Sequence, residues 1–327
     1  MALSATLFSP RSDLDQRSWT LALGVLGYSV EQFEADRIPE AATPLESSLV
    51  VIHDPAGLAS GLQSILAFLE GYEGQIIVRH RDLPWQLRLE ESSAYPLLKN
   101  LRSAIHATTN LRSRRELEAR GYANVTTIHD AFELDPTLGD RSKARAHMGF
   151  GVDDIVLLQP TRATASKNFA GSVRYVNEIA KFIRNRPVRL WIKGPVEESY
   201  AKMFAKLLAA CDVEVTVGEA ESAADAYAAC DAVIFPPSWD CFGDIVFEAV
   251  AHRRACISNN YPALAELTAG GIRVLPLDEP KWLVKFLAQS ETKKMQHLEA
   301  TARKAKVSFA INDLPARIGS VIHMATP

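Results

Sequence analysis

Residues 235–250 of the 327-residue chain read Phe235-Pro-Pro-Ser-Trp-Asp-Cys-Phe-Gly-Asp-Ile-Val-Phe-Glu-Ala-Val250. The apolar run that ends at Phe235 predicts a buried strand. The two prolines predict a turn after it, and the apolar spacing from Asp244 onward predicts a helix. A strand, a loop and a helix in this order form the repeating unit of a parallel sheet, in which ligands bind at the carboxyl ends of the strands.

The same alternation continues through the whole chain. Besides a strand at the N-terminus, short β-branched runs predict strands at 48–52, 75–78, 154–158, 188–192, 213–217 and 232–235. Amphipathic spacing predicts helices at 16–27, 57–72, 109–121, 169–184, 197–210, 222–229, 244–253 and 262–269. This pattern is typical of an α/β fold with parallel sheets between helices, and the length indicates about two domains.

The domain boundary is predicted in the turn-rich connector 133–140, which reads Glu-Leu-Asp-Pro-Thr-Leu-Gly-Asp. It divides the chain into domains at 1–138 and 139–305. The composition is 47% hydrophobic, which excludes a disordered chain. No apolar run reaches the ~20 residues of a membrane-spanning helix, and the N-terminus lacks the features of a secretion signal. We therefore expect a cytoplasmic protein with reduced cysteines.

The charge argues against a nucleic-acid partner. The formal net charge is −3, and residues 1–100 carry seven basic against thirteen acidic side chains, a net charge of −6. A protein that binds nucleic acid normally carries a basic excess. Residues 99–120 are locally basic, and their spacing favours a solvated helix face. Peripheral membrane contact through this stretch is the alternative, without support from any other feature.

Several common motifs are absent. The chain contains no G-x-G-x-x-G after a strand, no phosphate-binding G-x-x-x-x-G-K-[ST], no G-x-S-x-G and no H-E-x-x-H. Asp13 and Asp15 form one D-x-D pair, for which a loop or a helix cap is favoured over a metal site, because two carboxylates are too few ligands for Mg²⁺. We expect no bound metal and no cofactor.

Polar residues in 235–250 predict a ligand site at the start of the helix. Gly243 would let the backbone approach an anion closely, and free N–H groups at a helix N-terminus bind phosphate. Asp240 and Glu248 could accept hydrogen bonds from hydroxyl groups on either side. The alternative is a plain solvent-facing stripe, because Asp244, Glu248 and His252 share one helix face.

A second strand-loop-helix segment, 154–168, places Arg162 and Lys167 in its loop. Cations before a helix N-terminus are unfavourable by roughly 0.3–1 kcal/mol each, and a bound diphosphate would reverse that sign. Two surface cations turned toward water remain the alternative.

These two segments together resemble the retaining glycosyltransferases of family 4, which have the GT-B fold. Arg162 through Lys167 matches the family's R-x-x-x-x-K loop. Ser238-Trp-Asp-Cys-Phe-Gly243, followed by Glu248-Ala249, matches its E-x7-E motif in spacing. The resemblance covers most of 150–280 and is weaker in 1–130, where 79–85 and 107–110 are still similar.

The resemblance implies two Rossmann-like, doubly wound domains that face a central cleft, 1–138 for the acceptor and 139–305 for the nucleotide sugar. It also implies that 306–327 packs back on the first domain. The implied catalytic residues are His80, Arg162, Lys167 and Asp240. The implied donor-binding residues are Arg162, Lys167, Asp240, Cys241, Phe242, Gly243, Asp244 and Glu248.

Within this set, Arg162 and Lys167 would hold the diphosphate, Glu248 the ribose, and His80 would face the donor sugar. Asp240 stands where the family has Glu, and is implied to contact sugar hydroxyls. The side chain of Asp240 is one methylene shorter than Glu, which puts its reach to the sugar in doubt.

The implied reaction transfers a hexose from a UDP- or GDP-linked sugar to an acceptor hydroxyl, with retention and without a metal. The acceptor would be a sugar, a glycoside or a glycolipid. The alternatives are a nucleotide-sugar epimerase and a catalytically inactive GT-B protein that binds nucleotide sugar or stabilises a partner. The change at Asp240 keeps the inactive protein open.

Overall fold

The computed structural model describes residues 3–10, 14–34, 47–58, 61–86, 94–101, 104–240 and 242–324. They form two compact units. The first unit contains Met1–Phe132 and Phe309–Pro327, and the second contains Glu133–Ser308. The sequence predicted the boundaries after 138 and 305. The first division lies earlier because the connector from Glu133 onward is held by the second unit, where the Asp135 carboxylate pairs with Arg253.

The first unit is a six-stranded parallel sheet with helices. Its strands are β1 (Leu3–Ser9), β2 (Tyr28–Glu34), β3 (Leu49–His53), β4 (Gln75–His80), β5 (Ile105–Thr108) and β6 (Val125–Thr127). Its helices are α1 (Leu14–Val25), α2 (Pro55–Leu58), α3 (Gly61–Phe68), α4 (Leu111–Ala119) and α13 (Leu314–Met324), with 3₁₀ turns at Tyr95–Asn100 and Ile311–Asp313. The strand order is β2-β1-β3-β4-β5-β6.

The core of the first unit lies on both faces of this sheet. Leu7, Val51 and Ile77 are fully buried on one face, where α1 and α13 cover them. The opposite face is covered by the residues around α3 and the 3₁₀ turn at Tyr95–Asn100. α13 comes from the end of the chain, and its Leu314 and Ile318 belong to the same core as Leu7.

The second unit repeats the architecture with a new set of elements. Its strands are β7 (Ile155–Gln159), β8 (Val188–Ile192), β9 (Glu214–Val217), β10 (Ala232–Phe235), β11 (Ala255–Ser258) and β12 (Leu275–Pro276). Its helices are α5 (Arg141–Met148), α6 (Phe169–Phe182), α7 (Ala201–Ala209), α8 (Ala223–Ala229), α9 (Asp244–Ala251), α10 (Leu264–Ala269), α11 (Lys281–Leu287) and α12 (Glu291–Phe309), with a 3₁₀ turn at Glu198–Tyr200. The order is β12-β11-β10-β7-β8-β9, and all pairs are parallel.

The strand order of the second unit determines where a ligand can bind. From β7 the chain proceeds to β8 and β9 on one side, and it then returns to place β10 and β11 on the other side. β7 and β10 are therefore neighbours at the point where the strand order reverses, and the loops that follow them lie side by side. Open parallel sheets bind their ligands at such a switch point.

The predicted α/β class with two parallel sheets is confirmed, although several elements were missed. β2 is an edge strand whose side chains alternate in exposure. Its sequence therefore contains no apolar run from which a strand could be predicted. β5 has four residues and lies within 99–120, so the predicted basic helix face is limited to α4. Among the described residues, no helix is both long and apolar enough to cross a membrane.

Candidate functional site

The site lies in the second unit, at the loops that follow β7 and β10. We call Pro160–Lys167 the cation loop and Pro236–Gly243 the proline loop. The two loops are joined by a backbone hydrogen bond of 2.8 Å from Ser238 N to Ser166 O. The Asn168 amide that caps α6 adds a second link, because its Nδ2 donates to Pro236 O at 2.9 Å. The structure thus brings together the two segments that the sequence singled out.

The cation loop borders an open cavity of about 830 Å³. Arg162 and Lys167 line it, together with Lys193 from the end of β8 and Glu219 from the segment after β9. Arg162 is exposed to solvent, whereas Lys167 and Lys193 are half-buried. Glu197 lines the cavity as well, so three cations stand against two carboxylates, and the remaining excess of positive charge suits an anionic ligand.

Gly194 allows the cavity wall to form. A Cβ atom on this residue would lie 2.8 Å from the backbone nitrogen of Arg162. Neither Lys193 nor Gly194 was expected from the sequence, although both follow a correctly predicted strand, and that position was the available signal.

Lys167 is held on two sides. Its Nζ lies 3.2 Å from Oδ2 of Asp240 and 5.3 Å from the centre of the Phe235 ring. The backbone carbonyl of Lys167 accepts a hydrogen bond of 3.2 Å from the Gln159 amide. The ammonium group therefore has a fixed place at the entrance to the proline loop.

Asp240 closes the proline loop on itself. Its Oδ1 accepts hydrogen bonds from the backbone N–H groups of Gly243 at 2.6 Å and Phe242 at 3.3 Å. Gly243 has a φ of 99°, and a Cβ there would lie 2.3 Å from the Tyr261 hydroxyl, so only glycine fits. Asp244, the first residue of α9, is half-buried, and Cys241 lies outside the described residues.

The Phe242 side chain anchors the proline loop to the core. Its side chain is fully buried and stacks on Phe247 of α9, with ring centres 5.6 Å apart. This packing makes the Phe242 side chain part of the core, so that only its backbone can face a ligand.

Glu248 lies one turn into α9 and is half-buried. Its Oε2 accepts a hydrogen bond of 2.5 Å from the hydroxyl of Tyr227 in α8. Tyr227 is itself buried and stacks on His252, with ring centres 4.5 Å apart. Burial and the neighbouring Glu248 raise the pKa of Tyr227 well above its ordinary value, which keeps the hydroxyl protonated and able to donate.

Tyr227 was missed as a functional residue. The sequence showed Tyr227-Ala-Ala-Cys-Asp231 only as part of the family pattern. Its contact with Glu248 arises because α8 and α9 precede and follow the same strand, β10. Such a pairing has no signal in the spacing of residues.

His80 lies in the first unit, at the end of β4, and its side chain is fully buried. Its Nδ1 is 2.7 Å from the Tyr95 hydroxyl and its Nε2 is 2.9 Å from Nδ1 of His106. Burial, His106 and Arg79 lower the pKa of His80 well below its ordinary value. Both ring nitrogens are engaged inside the unit, and the expected position of His80 opposite a donor sugar stays a prediction.

Comparison with known proteins finds a family match over the region that contains these loops. Residues 162–298 match the family model described as Glycosyl transferases group 1. The matched region begins at the first cation of the cation loop and includes the whole proline loop and α9. None of the curated protein sequences compared with the chain matches it.

Solved structures share the whole fold. HepE of Anabaena, in complex with UDP and glucose, has a TM-score of 0.75 at 13% identity, covering 98% of this chain and 99% of its own. Sucrose-phosphate synthase of Thermosynechococcus elongatus has a TM-score of 0.74 at 15% identity, with 98% of each chain covered. A glycosyltransferase of Rickettsia africae has a TM-score of 0.75 at 12% identity, covering 99% and 98%.

The fold and the site together define the class, a two-unit α/β protein with the GT-B fold. The match of residues 162–298 to the glycosyl transferases group 1 model, together with the shared fold, supports a glycosyltransferase enzyme. The recognition made on the two motifs is confirmed.

Proposed function

We propose that the protein transfers a hexose from a nucleoside-diphosphate sugar, UDP- or GDP-linked, to an acceptor hydroxyl with retention and without a metal. The observation that carries the proposal is the union of the cation and proline loops at the β7/β10 switch point, beside the cavity that Arg162, Lys167 and Lys193 line. HepE, which has the same fold, is described in complex with UDP-glucose.

Each group has a role that its placement supports. Arg162 can form a bidentate contact with a diphosphate, while Lys167 and Lys193 add point charges. Glu248 has its Oε2 held by Tyr227, which leaves Oε1 as an acceptor for a ribose hydroxyl. Asp244 and Cys241 remain predicted donor contacts.

The chemical problem is the departure of a charged diphosphate. The bond between the anomeric carbon and the diphosphate oxygen breaks, and the acceptor oxygen forms its bond on the same face of the sugar. The acceptor's proton passes to the departing phosphate oxygen. Fixed positive charge in the cavity stabilises the leaving group, and removal of one such contact typically costs about 2–4 kcal/mol of the barrier.

The test begins with mass spectrometry of the purified protein incubated with UDP-, GDP- and ADP-sugars and a panel of acceptors. We expect one donor to be consumed only when an acceptor is present, with product formation unchanged by EDTA and an anomeric configuration, read by NMR, that is retained. Sugar rearrangement without an acceptor would indicate an epimerase. Nucleotide binding without any turnover would indicate a binding protein.

Arg162→Ala tests the site itself. Loss of a charged hydrogen bond to the diphosphate should weaken binding of the matching nucleoside diphosphate at least tenfold, or about 1.5–3 kcal/mol. Arg174→Ala is the matched control, because Arg174 is an exposed arginine of α6 that does not line the cavity. Calorimetry measures both variants, and equal affinities would contradict the assignment.

A further inference from the structure

The Asp240 carboxylate already has partners inside the protein, which a residue that only contacts a sugar would not require. Its two carboxylate oxygens engage the Lys167 ammonium on one side and the Phe242 and Gly243 amides on the other. Its side chain is only 11% exposed. These partners are the cation and the helix-start amides that an incoming diphosphate would use.

We propose that Asp240 is an internal counter-anion that occupies the donor's phosphate-binding groups and must be displaced when the donor binds. The proposal rests on the proposed function, and it gives Asp240 a role different from contact with sugar hydroxyls. The affinity of the protein for its donor is then set partly by how firmly Asp240 holds its place.

The length of the side chain explains the arrangement. An aspartate can accept hydrogen bonds from backbone N–H groups two and three residues later in the chain. Asp240 does so with Phe242 and Gly243, and the left-handed backbone at Gly243 turns its N–H toward the carboxylate. A glutamate, one methylene longer, would carry its carboxylate past these amides.

The charge of the site follows from the same contact. Lys167 and Asp240 form an ion pair, so that together they present no net charge to an anion. Arg162 and Lys193 then supply the positive charge that attracts the donor. Once Asp240 moves away, the attraction of Lys167 for the diphosphate is no longer offset by a carboxylate a few ångströms away.

The experiment compares Asp240→Asn and Asp240→Glu with the wild-type chain by calorimetry against UDP, GDP, a UDP-sugar and inorganic pyrophosphate. Asp240→Asn keeps an oxygen for the amides but removes the charge, and we expect about tenfold tighter binding of pyrophosphate and of the matching nucleotide. Asp240→Glu keeps the charge and releases the amides, and we expect a smaller gain. Asp140→Asn is the control, because Asp140 caps α5 in the same manner but lies on the surface, and it should change nothing.

The outcomes distinguish a failure of the inference about Asp240 from a failure of the proposed function. If Asp240→Asn binds UDP as the wild type does but binds the UDP-sugar more weakly, Asp240 is a sugar ligand and the inference is wrong. If no nucleotide binds to any form while pyrophosphate still binds Asp240→Asn more tightly, the inference stands and the proposed function fails. Weaker pyrophosphate binding by Asp240→Asn would also overturn the inference, because the carboxylate would then support the site.

Discussion

The carboxyl edges of the two sheets carry similar residues and use them differently. In the first unit, His53 is the last residue of β3 and Arg79 the next-to-last residue of β4, and both are fully buried. Arg79 donates to Asp15 Oδ2 at 3.2 Å, to Ile128 O at 2.6 Å and to Asp130 Oδ1. In the second unit, Arg162 at the corresponding edge is exposed beside an open cavity.

The difference teaches that a charged residue after a strand indicates a ligand only where the unit itself leaves the charge accessible. Burial alone would raise the pKa of Asp15. The Arg79 charge and the hydrogen bond with His53 outweigh burial and lower this pKa below its ordinary value, so Asp15 remains ionised. The partners named for this network all belong to the first unit. The cations of the second unit, in contrast, are directed toward space that a ligand can enter.

The largest effect is expected from breaking the buried network. Arg79→Met leaves Asp15 and Asp130 without their buried cation, which should destabilise the first unit by about 3–5 kcal/mol. Hydrogen exchange resolved by peptide measures this in β4 separately from the second unit. Arg114→Met, which removes an exposed pair with Glu118, should cost less than about 1 kcal/mol. Equal losses in both variants would contradict the buried-network interpretation.

A second prediction concerns the stability of the first unit at acidic pH. Burial lowers the pKa of His106 to about 4, and burial, His106 and Arg79 lower the pKa of His80 well below its ordinary value. The unfolded chain binds a proton at each histidine below about pH 6.5, while the folded unit does not, so stability must fall as the pH falls from 6.5 toward 4. His106 alone accounts for roughly 3 kcal/mol across that window.

The pH dependence of hydrogen exchange in β5 measures this loss. His106→Gln should reduce the slope between pH 4 and 6.5, because one of the two histidines is gone. His147→Gln, at an exposed position of α5, is the control and should leave the slope unchanged. If His106→Gln retained the full slope, the buried histidine pair would not be its source.

Much of the second unit could be predicted from sequence. The strands at 188–192 and 232–235 were placed at their observed bounds, because each is a short, mainly apolar run that contains β-branched residues. The R-x-x-x-x-K loop and the segment from Ser238 to Glu248 were correctly placed at strand ends. What these motifs needed in addition was the order of strands, which makes the two loops neighbours.

Other parts could not be predicted, for reasons that lie in tertiary contacts. Whether His80 faces a ligand or a neighbour depends on Tyr95 and His106, which come from two other elements. The contacts of Asp240 depend on the backbone at Gly243, where the sequence gives the residue type but not the direction of the N–H group. Pattern alone identifies such residues as candidates, and packing decides which of them are accessible.

The smallest expected effect concerns Glu248, and it tests whether a buried tyrosine holds this carboxylate in the orientation that binds a ligand. Tyr227→Phe removes the hydroxyl that holds Oε2 of Glu248 and leaves the ring stacked on His252. Because a hydrogen bond to a charged group contributes about 1.5 kcal/mol, binding of the matching nucleoside diphosphate should weaken roughly tenfold. Pyrophosphate, which has no ribose, should bind Tyr227→Phe as it binds the wild type.

Tyr175→Phe is the matched control for this prediction. Tyr175 is a buried tyrosine of the same unit whose hydroxyl, within the part of the chain that the structure describes, has no hydrogen-bond partner. Its removal should leave both affinities unchanged. If Tyr227→Phe weakened pyrophosphate as much as the nucleotide, its effect would be a general disturbance of the loops and not the positioning of Glu248. A loss confined to the nucleotide would show that the second unit combines exposed cations with a carboxylate aligned by a buried tyrosine.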